Sequence, residues 1–350
     1  MPFTGEFFRM DEFIQINGRL RPLVMIALIA TLFVTTIVCL TMGRYPLLFG
    51  DVLHGFYSRI AGHTIDATTY SVLFNLRLPR TVLAMVLGAG LACAGAAFQS
   101  LFANPLATPD TLGVTAGASV GAVLALLADG GMFTVQMTAL IFGIASVMMT
   151  VSFARIRGRS SILMLVLSGV IISSVFNAII SIIKYTCDPI NKLPQITYWL
   201  MGSLSGASYK SLAFGMPFIV AGVAIITALR WRLNILTLSE DEAHAAGINV
   251  QRTRIAIVIA STMVTASCVS MCGQVGWVGL LVPHCARMIC GSNNRFVIPL
   301  SIILGGIFVV IIDTLARTLT ASEIPVSVLT AVFGAPFFIL LLRKTGGNWE

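Results

Sequence analysis

Residues 230–254 read RWRLNILTLSEDEAHAAGINVQRTR, and the way this stretch interrupts its surroundings decides the fold. It holds seven charged residues, with Arg230, Arg232, Arg252 and Arg254 at its ends and Glu240, Asp241 and Glu242 in its middle. The sequence on both sides runs in long apolar segments broken only by short turns. Arginines placed this way pin two membrane helices at one water interface. The residues between them become a polar handle outside the bilayer.

The rest of the chain fits that picture. Of 350 residues 57% are hydrophobic and only 10% charged, with a mean hydropathy of +0.93, whereas soluble domains carry about 25% charged residues. A spanning helix needs about 20 mostly apolar residues. Segments of that kind are predicted at 22–42, 71–103, 112–128, 132–154, 161–184, 211–229, 253–272, 276–290, 296–317 and 326–342. The second is overlong, which predicts tilt or extension beyond the bilayer, and the eighth is short. The expected organisation is a polar tail over 1–21, one transmembrane domain over 22–344 and a tail over 345–350. Residues 22–42 are too long for a signal-peptide core and are expected to be retained as a span.

A net charge of +8 reads as cytoplasmic-loop Lys and Arg in a membrane protein, so no nucleic-acid partner is expected. With the N-terminus inside, 14 of the 22 Lys and Arg fall on the inner side and 8 on the outer. Both termini and the 230–254 stretch are therefore expected in the cytoplasm. The seven cysteines lie mostly in apolar spans and contain no CxxC, so they read as small hydrophobes.

Catalytic patterns are missing. None of the four Lys follows a Gly, which rules out a Walker A loop. There is no HExxH, and His284 with Cys285 and Cys290 falls short of the ligands a metal needs. Neither a metal, a cofactor nor a catalytic residue is expected. Asp313 and Arg317 stand one helical turn apart and can pair within the helix. Arg77 and Arg80 lie three apart on one face at the outer mouth, where they either snorkel to the interface or receive an acidic partner. The double-proline turn Asn104–Asp110 lacks Lys and Arg, unlike its neighbours, and is expected either under other parts of the protein or along the pathway. Arg80 and Arg254 each open a small-residue helix that ends at a proline, Pro105 and Pro283, and the two units run in opposite directions. Such an echo is what inverted transporter repeats produce.

RLPR (77–80), GAGLACAGAAFQSLFANPLATPDTLG (88–113), GQVGWVGLLVPHCARMICG (273–291), DTLAR (313–317) and IPVSVLTAVFGAPFFILLLRK (324–344) follow one another in the order of the FecCD-type permeases. The chain resembles these subunits of ABC importers for iron chelates, haem and cobalamin over about residues 70–344. The resemblance implies an all-α bundle of about ten spans, of the type II importer kind with inverted repeats, and no enzymatic activity of its own. It implies an ABC ATPase dimer inside, a solute-binding protein outside and a second permease subunit, in a bacterial cytoplasmic membrane. Coupling helices are expected over about 236–250, with Leu238, Glu240, Glu242, Ala243, Ala246 and Gly247 at the ATPase contact. Ser239 and Ala246 depart from the Gly and Leu usual there. Arg77, Arg80 and Arg317 match the family's docking arginines, and Asn104, Pro105 and Leu106 its cytoplasmic gate region. An iron–siderophore-type chelate is the first expected cargo, with cobalamin or haem as alternatives. Outside the class, an ion-coupled secondary transporter is the alternative.

Overall fold

The computed structural model describes residues 15–16, 19–20, 22–156, 159–160, 162–236, 242 and 247–345. Every predicted span is a helix. They are α1 (Pro22–Thr41), α3 (Ala67–Leu101), α4 (Val114–Leu127), α5 (Met132–Phe153), α6 (Ile162–Thr186), α8 (Tyr209–Ile235), α9 (Val250–Cys272), α10 (Val278–Cys290), α11 (Asn294–Thr318) and α12 (Val326–Thr345). Seven of these are long and apolar enough to cross a membrane; α4, α10 and the apolar part of α12 are shorter. Between them lie two helices that lack a continuous apolar run, α2 (Phe49–Ala61) and α7 (Lys192–Leu200). Two-residue antiparallel ladders pair residues 15–16 with 19–20 and residues 155–156 with 159–160.

The largest boundary difference is at α8, which runs on to Ile235 because Leu233 is fully buried and Arg232 lies over the Trp231 ring. Arg230 and Arg232 therefore belong to that helix, and Arg252 and Arg254 to the start of α9. At about 1.5 Å per residue, the 35 residues of α3 span about 52 Å, well over the roughly 30 Å apolar core of a bilayer. The excess lies in a π-helical segment, Ser71–Arg77, at its first end. Wider π turns of this kind frequently accompany functional residues.

Burial separates a centre from a rim. In α3 and α9, 78% of the apolar stretch is buried, against 11% in α1 and 22% in α6. Lipid offers no hydrophobic drive between helices, so close approach of small residues has to supply the contact. This is why α3 is dense in Gly and Ala. A Cβ on Gly88 would collide with the carbonyl of Gly305 in α11, and one on Gly305 with the carbonyl of Gly88.

Both α3 and α9 are long, buried and followed after a turn by a short apolar helix, α4 or α10, and the two pairs run in opposite directions. The proline echo does not hold in detail. Pro105 stands in the turn, whereas Pro283 lies inside α10, after α9 has already ended at Cys272.

Replacing Gly88 by Val should force α3 and α11 apart and cost about 1–3 kcal/mol or more, as overpacked cores do. Thermal melting of the purified protein checks this. Gly50→Ala, where a Cβ meets nothing within 4 Å, should leave the melting temperature unchanged or slightly raised.

Candidate functional site

At the end of the bundle where α1 and α11 finish and α3 begins, Arg44, Arg77, Arg80, Arg317 and Glu323 line a cavity of about 340 Å³. The three arginines expected to act together do converge there. Each has an anchor. Arg77 is buried, and its Nη1 donates to the carbonyls of Leu40 (2.7 Å) and Thr41 (3.0 Å) while Nη2 donates to that of Tyr45 (2.5 Å). Arg317 Nη2 donates to the Cys39 carbonyl at 2.5 Å. A helix leaves its last four carbonyls without internal partners, and cations are favoured at that end. Two guanidinium groups thus cap α1, the most exposed long helix, and fasten it to α3 and α11. Gly43 makes room for them: a side chain there would run into the Arg77 guanidinium and crowd Arg317 Nη1.

Arg80 bonds elsewhere. Its Nε donates to both Asp313 oxygens (3.0 and 3.1 Å), Nη2 to Oδ1 (2.9 Å), and Nη1 to Glu323 Oε1 (2.8 Å). The expected pair within α11 is not the main one. Arg317 Nε stands 4.0 Å from Asp313 Oδ2 and has no hydrogen-bond partner among the described residues. Across the Gly88–Gly305 contact a planar guanidinium reaches the carboxylate with two nitrogens, a geometry that a neighbour on the same helix does not match. Four guanidinium groups face two carboxylates here, so the cavity is positive overall.

At the opposite end, α3 stops at Leu101 and the chain turns through Ala103, whose φ is +46°. Asn104 Oδ1 accepts from the Leu106 amide (2.9 Å), and the Asn104 amide donates back to the Gln99 carbonyl (3.0 Å). Asn104 and Leu106 are exposed, while Ala107 and Pro109 are buried. The turn is therefore not covered by the rest of this chain. Pro109–Leu112 forms a single 3-10 turn fastened to α5 by Ser146 and Thr150, whose hydroxyls donate to the carbonyls of Gly113 (2.7 Å) and Leu112 (2.9 Å).

The handle emerges at this same end. Leu238, Glu240, Ala243 and Ala246 lie outside the described residues. Glu242 is helical and exposed, and Gly247 adopts φ +74° just before α9. Asn249 caps α9 by accepting from the Arg252 amide (2.9 Å). On the incoming side, Asn234 near the end of α8 donates to Asn293 Oδ1 (2.8 Å) and accepts from the Asn294 amide (2.8 Å). Buried Asn294 accepts from Ser100 Oγ (2.7 Å), one residue from the end of α3. A row of polar side chains thus links the helix entering the handle to the helix that ends at the Asn104 turn.

Sequence reasoning missed Gly43, Arg44, Ser100, Asn234, Asn294 and Glu323. Of these, only Glu323 carried a usable signal, as a lone acid in the short turn between two apolar spans, two residues before Pro325. The others serve contacts between distant segments, which no local spacing announces. Among the described residues no three His, Cys, Asp or Glu gather as a metal site, and His284 packs edge-on against Phe338.

Asp313→Asn leaves half-buried Arg80 with its main partner neutralised, and breaking a buried pair costs about 3–5 kcal/mol. Glu323→Gln should cost far less, because the Glu323 side chain is 30% exposed against 3% for Asp313. Melting curves of the two variants should differ accordingly.

Comparison with known proteins identifies the family of the fold. Residues 31–344 match the model of the FecCD transport family. The chain is 36% identical over 324 residues to the molybdate import system permease protein MolB of Haemophilus influenzae, covering 92% of this chain and 96% of that one. It is 32% identical over 340 residues to the hemin transport system permease protein HmuU of Yersinia pestis, covering 94% and 98%. A solved metal-chelate type ABC transporter in an inward-facing conformation superposes with a TM-score of 0.83 at 35% identity, over 93% of this chain and all of that one. A bundle of apolar helices that matches this family over nearly its whole length is a membrane-spanning transport subunit, and the chain belongs to the FecCD family of ABC transporter permeases.

Proposed function

We propose that this chain, paired with a second permease subunit, carries a metal-bearing solute inward across a bacterial cytoplasmic membrane, with both termini cytoplasmic. The observation that carries this reading is the positive cavity of Arg77, Arg80 and Arg317. The Lys and Arg count assigns it to the outer side, where basic residues are otherwise sparse. An acidic surface on a solute-binding protein is the natural complement, and such charge matching governs orientation and on-rate more than affinity.

At the inner end, residues 238–247 offer Leu238, Glu240, Glu242, Ala243, Ala246 and Gly247 to a separate ATPase dimer, since this chain holds no Walker A loop. The Ser100–Asn294–Asn234 row supplies a route from that contact to the turn of Asn104, Pro105 and Leu106. The exposed Leu106 side chain then closes or opens the pathway between the two subunits. An iron–siderophore-type chelate remains the first proposed cargo. A molybdate-type oxyanion is the second, favoured by the relative named for it. A ligand screen on the cognate binding protein separates the two.

Changing Arg77 and Arg317 together to Gln removes two charges but keeps amide donors for the α1 carbonyls. In the reconstituted complex, affinity for the binding protein should fall about tenfold or more, with a flatter dependence on salt. Binding and ATPase stimulation that stay unchanged would remove the docking role.

A further inference from the structure

The arginine cavity already holds a carboxylate that the docking reading leaves without a role. Glu323 sits on the 319–325 connection between α11 and α12, and its Oε1 accepts from Arg80 Nη1 at 2.8 Å. Its other oxygen, Oε2, is buried and has no hydrogen-bond partner among the described residues. The two acids on Arg80 are held very differently. Asp313 is fixed on α11, with a side chain 3% exposed and both oxygens bonded. Glu323 hangs from a connection and is 30% exposed with one oxygen bonded. A carboxylate arriving from outside finds Arg80 Nη1 occupied by a group of its own chemistry, and one that can leave.

We propose that Glu323 is a resident stand-in for the docking partner's carboxylate: the incoming acid takes its place on Arg80 and frees the 319–325 connection. This rests on the docking reading of the arginine cavity. Exchange of one carboxylate for another on the same nitrogen leaves the charge on Arg80 matched throughout, so the swap avoids stranding a half-buried cation.

The freed connection is not isolated. Arg44 donates to the Thr320 and Ala321 carbonyls, and the Ile324 amide to that of Ala316. Just beyond, the Val326 amide donates to the Gly202 carbonyl (3.0 Å) and Ser327 Oγ to that of Met201. The Ser203 amide donates in turn to the carbonyl of Cys272, the last residue of α9 (2.8 Å). At its far end α9 starts three residues after Gly247, directly beyond the handle. Release of Glu323 therefore loosens a connection bonded, through residues 201–203, to the helix that leads to the ATPase contact.

The test uses the full-length protein in nanodiscs, with a tetraglutamate peptide as the carboxylate probe and tetralysine as control. A spin label on exposed Ser322→Cys reports the connection, and a fluorescent copy of the peptide reports binding. Tetraglutamate should bind and raise the label's mobility, while tetralysine does neither. Glu323→Gln, whose melting curve should stay close to that of the unaltered protein, should bind tetraglutamate several-fold more tightly, and its label should be mobile before any peptide is added. Peptide binding that leaves the label immobile and is unchanged in Glu323→Gln overturns the stand-in while the arginine cavity keeps its docking role. Absence of tetraglutamate binding to either protein overturns both.

Discussion

The contact between Gly88 and Gly305 fixes the register of α3 against α11, and both ends of the molecule depend on it. Each glycine would strike the other's carbonyl if it carried a Cβ, so the two backbones touch. In water such a contact would add little to a hydrophobic core. In lipid, where apolar burial between helices gains nothing, it is the means of association. The antiparallel pairing it sets brings Arg80 to Asp313 at one end and Ser100 to Asn294 at the other. One crossing thus assembles the positive cavity and the polar row beside the handle.

The helices were legible because a run of about 20 apolar residues suits little besides a membrane span. All ten were found, and the error at α8 came from arginines that read as a loop but continue the helix past buried Leu233. Helices α2 and α7 were missed for the opposite reason, since their apolar residues face one side only. The grouping of Arg77, Arg80 and Arg317 came from the family resemblance. Their partners did not, because the competition between Arg317 and Arg80 for Asp313 is settled by a helix more than 200 positions away in sequence. The capping of α1 by two arginines was equally hidden, as was the place of Glu323. The 238–246 segment, where the sequence speaks most directly of an ATPase, lies outside the described residues apart from Glu242.

On the proposed docking role, structural and functional demands fall on the same side chains. Arg77 and Arg317 hold α1 by its last carbonyls while giving the cavity its charge, and Arg80 ties α3 to α11 while facing the same space. A partner that binds there works on groups that already hold the bundle together, which gives docking a direct purchase on helix packing. The handle at the other end is flanked by helices whose ends are themselves bonded, α8 through Asn234 and α9 through its Asn249 cap.

The central claim is that movement of cargo is driven from outside this chain, by an ATPase acting on residues 238–247. It is tested most directly by uptake into proteoliposomes holding the permease, its ATPase and the loaded binding protein, with Glu242→Arg as the handle variant. Accumulation should require ATP and should be lost in Glu242→Arg while the variant permease stays folded. Accumulation driven by an ion gradient without ATP, and indifferent to Glu242→Arg, would contradict it.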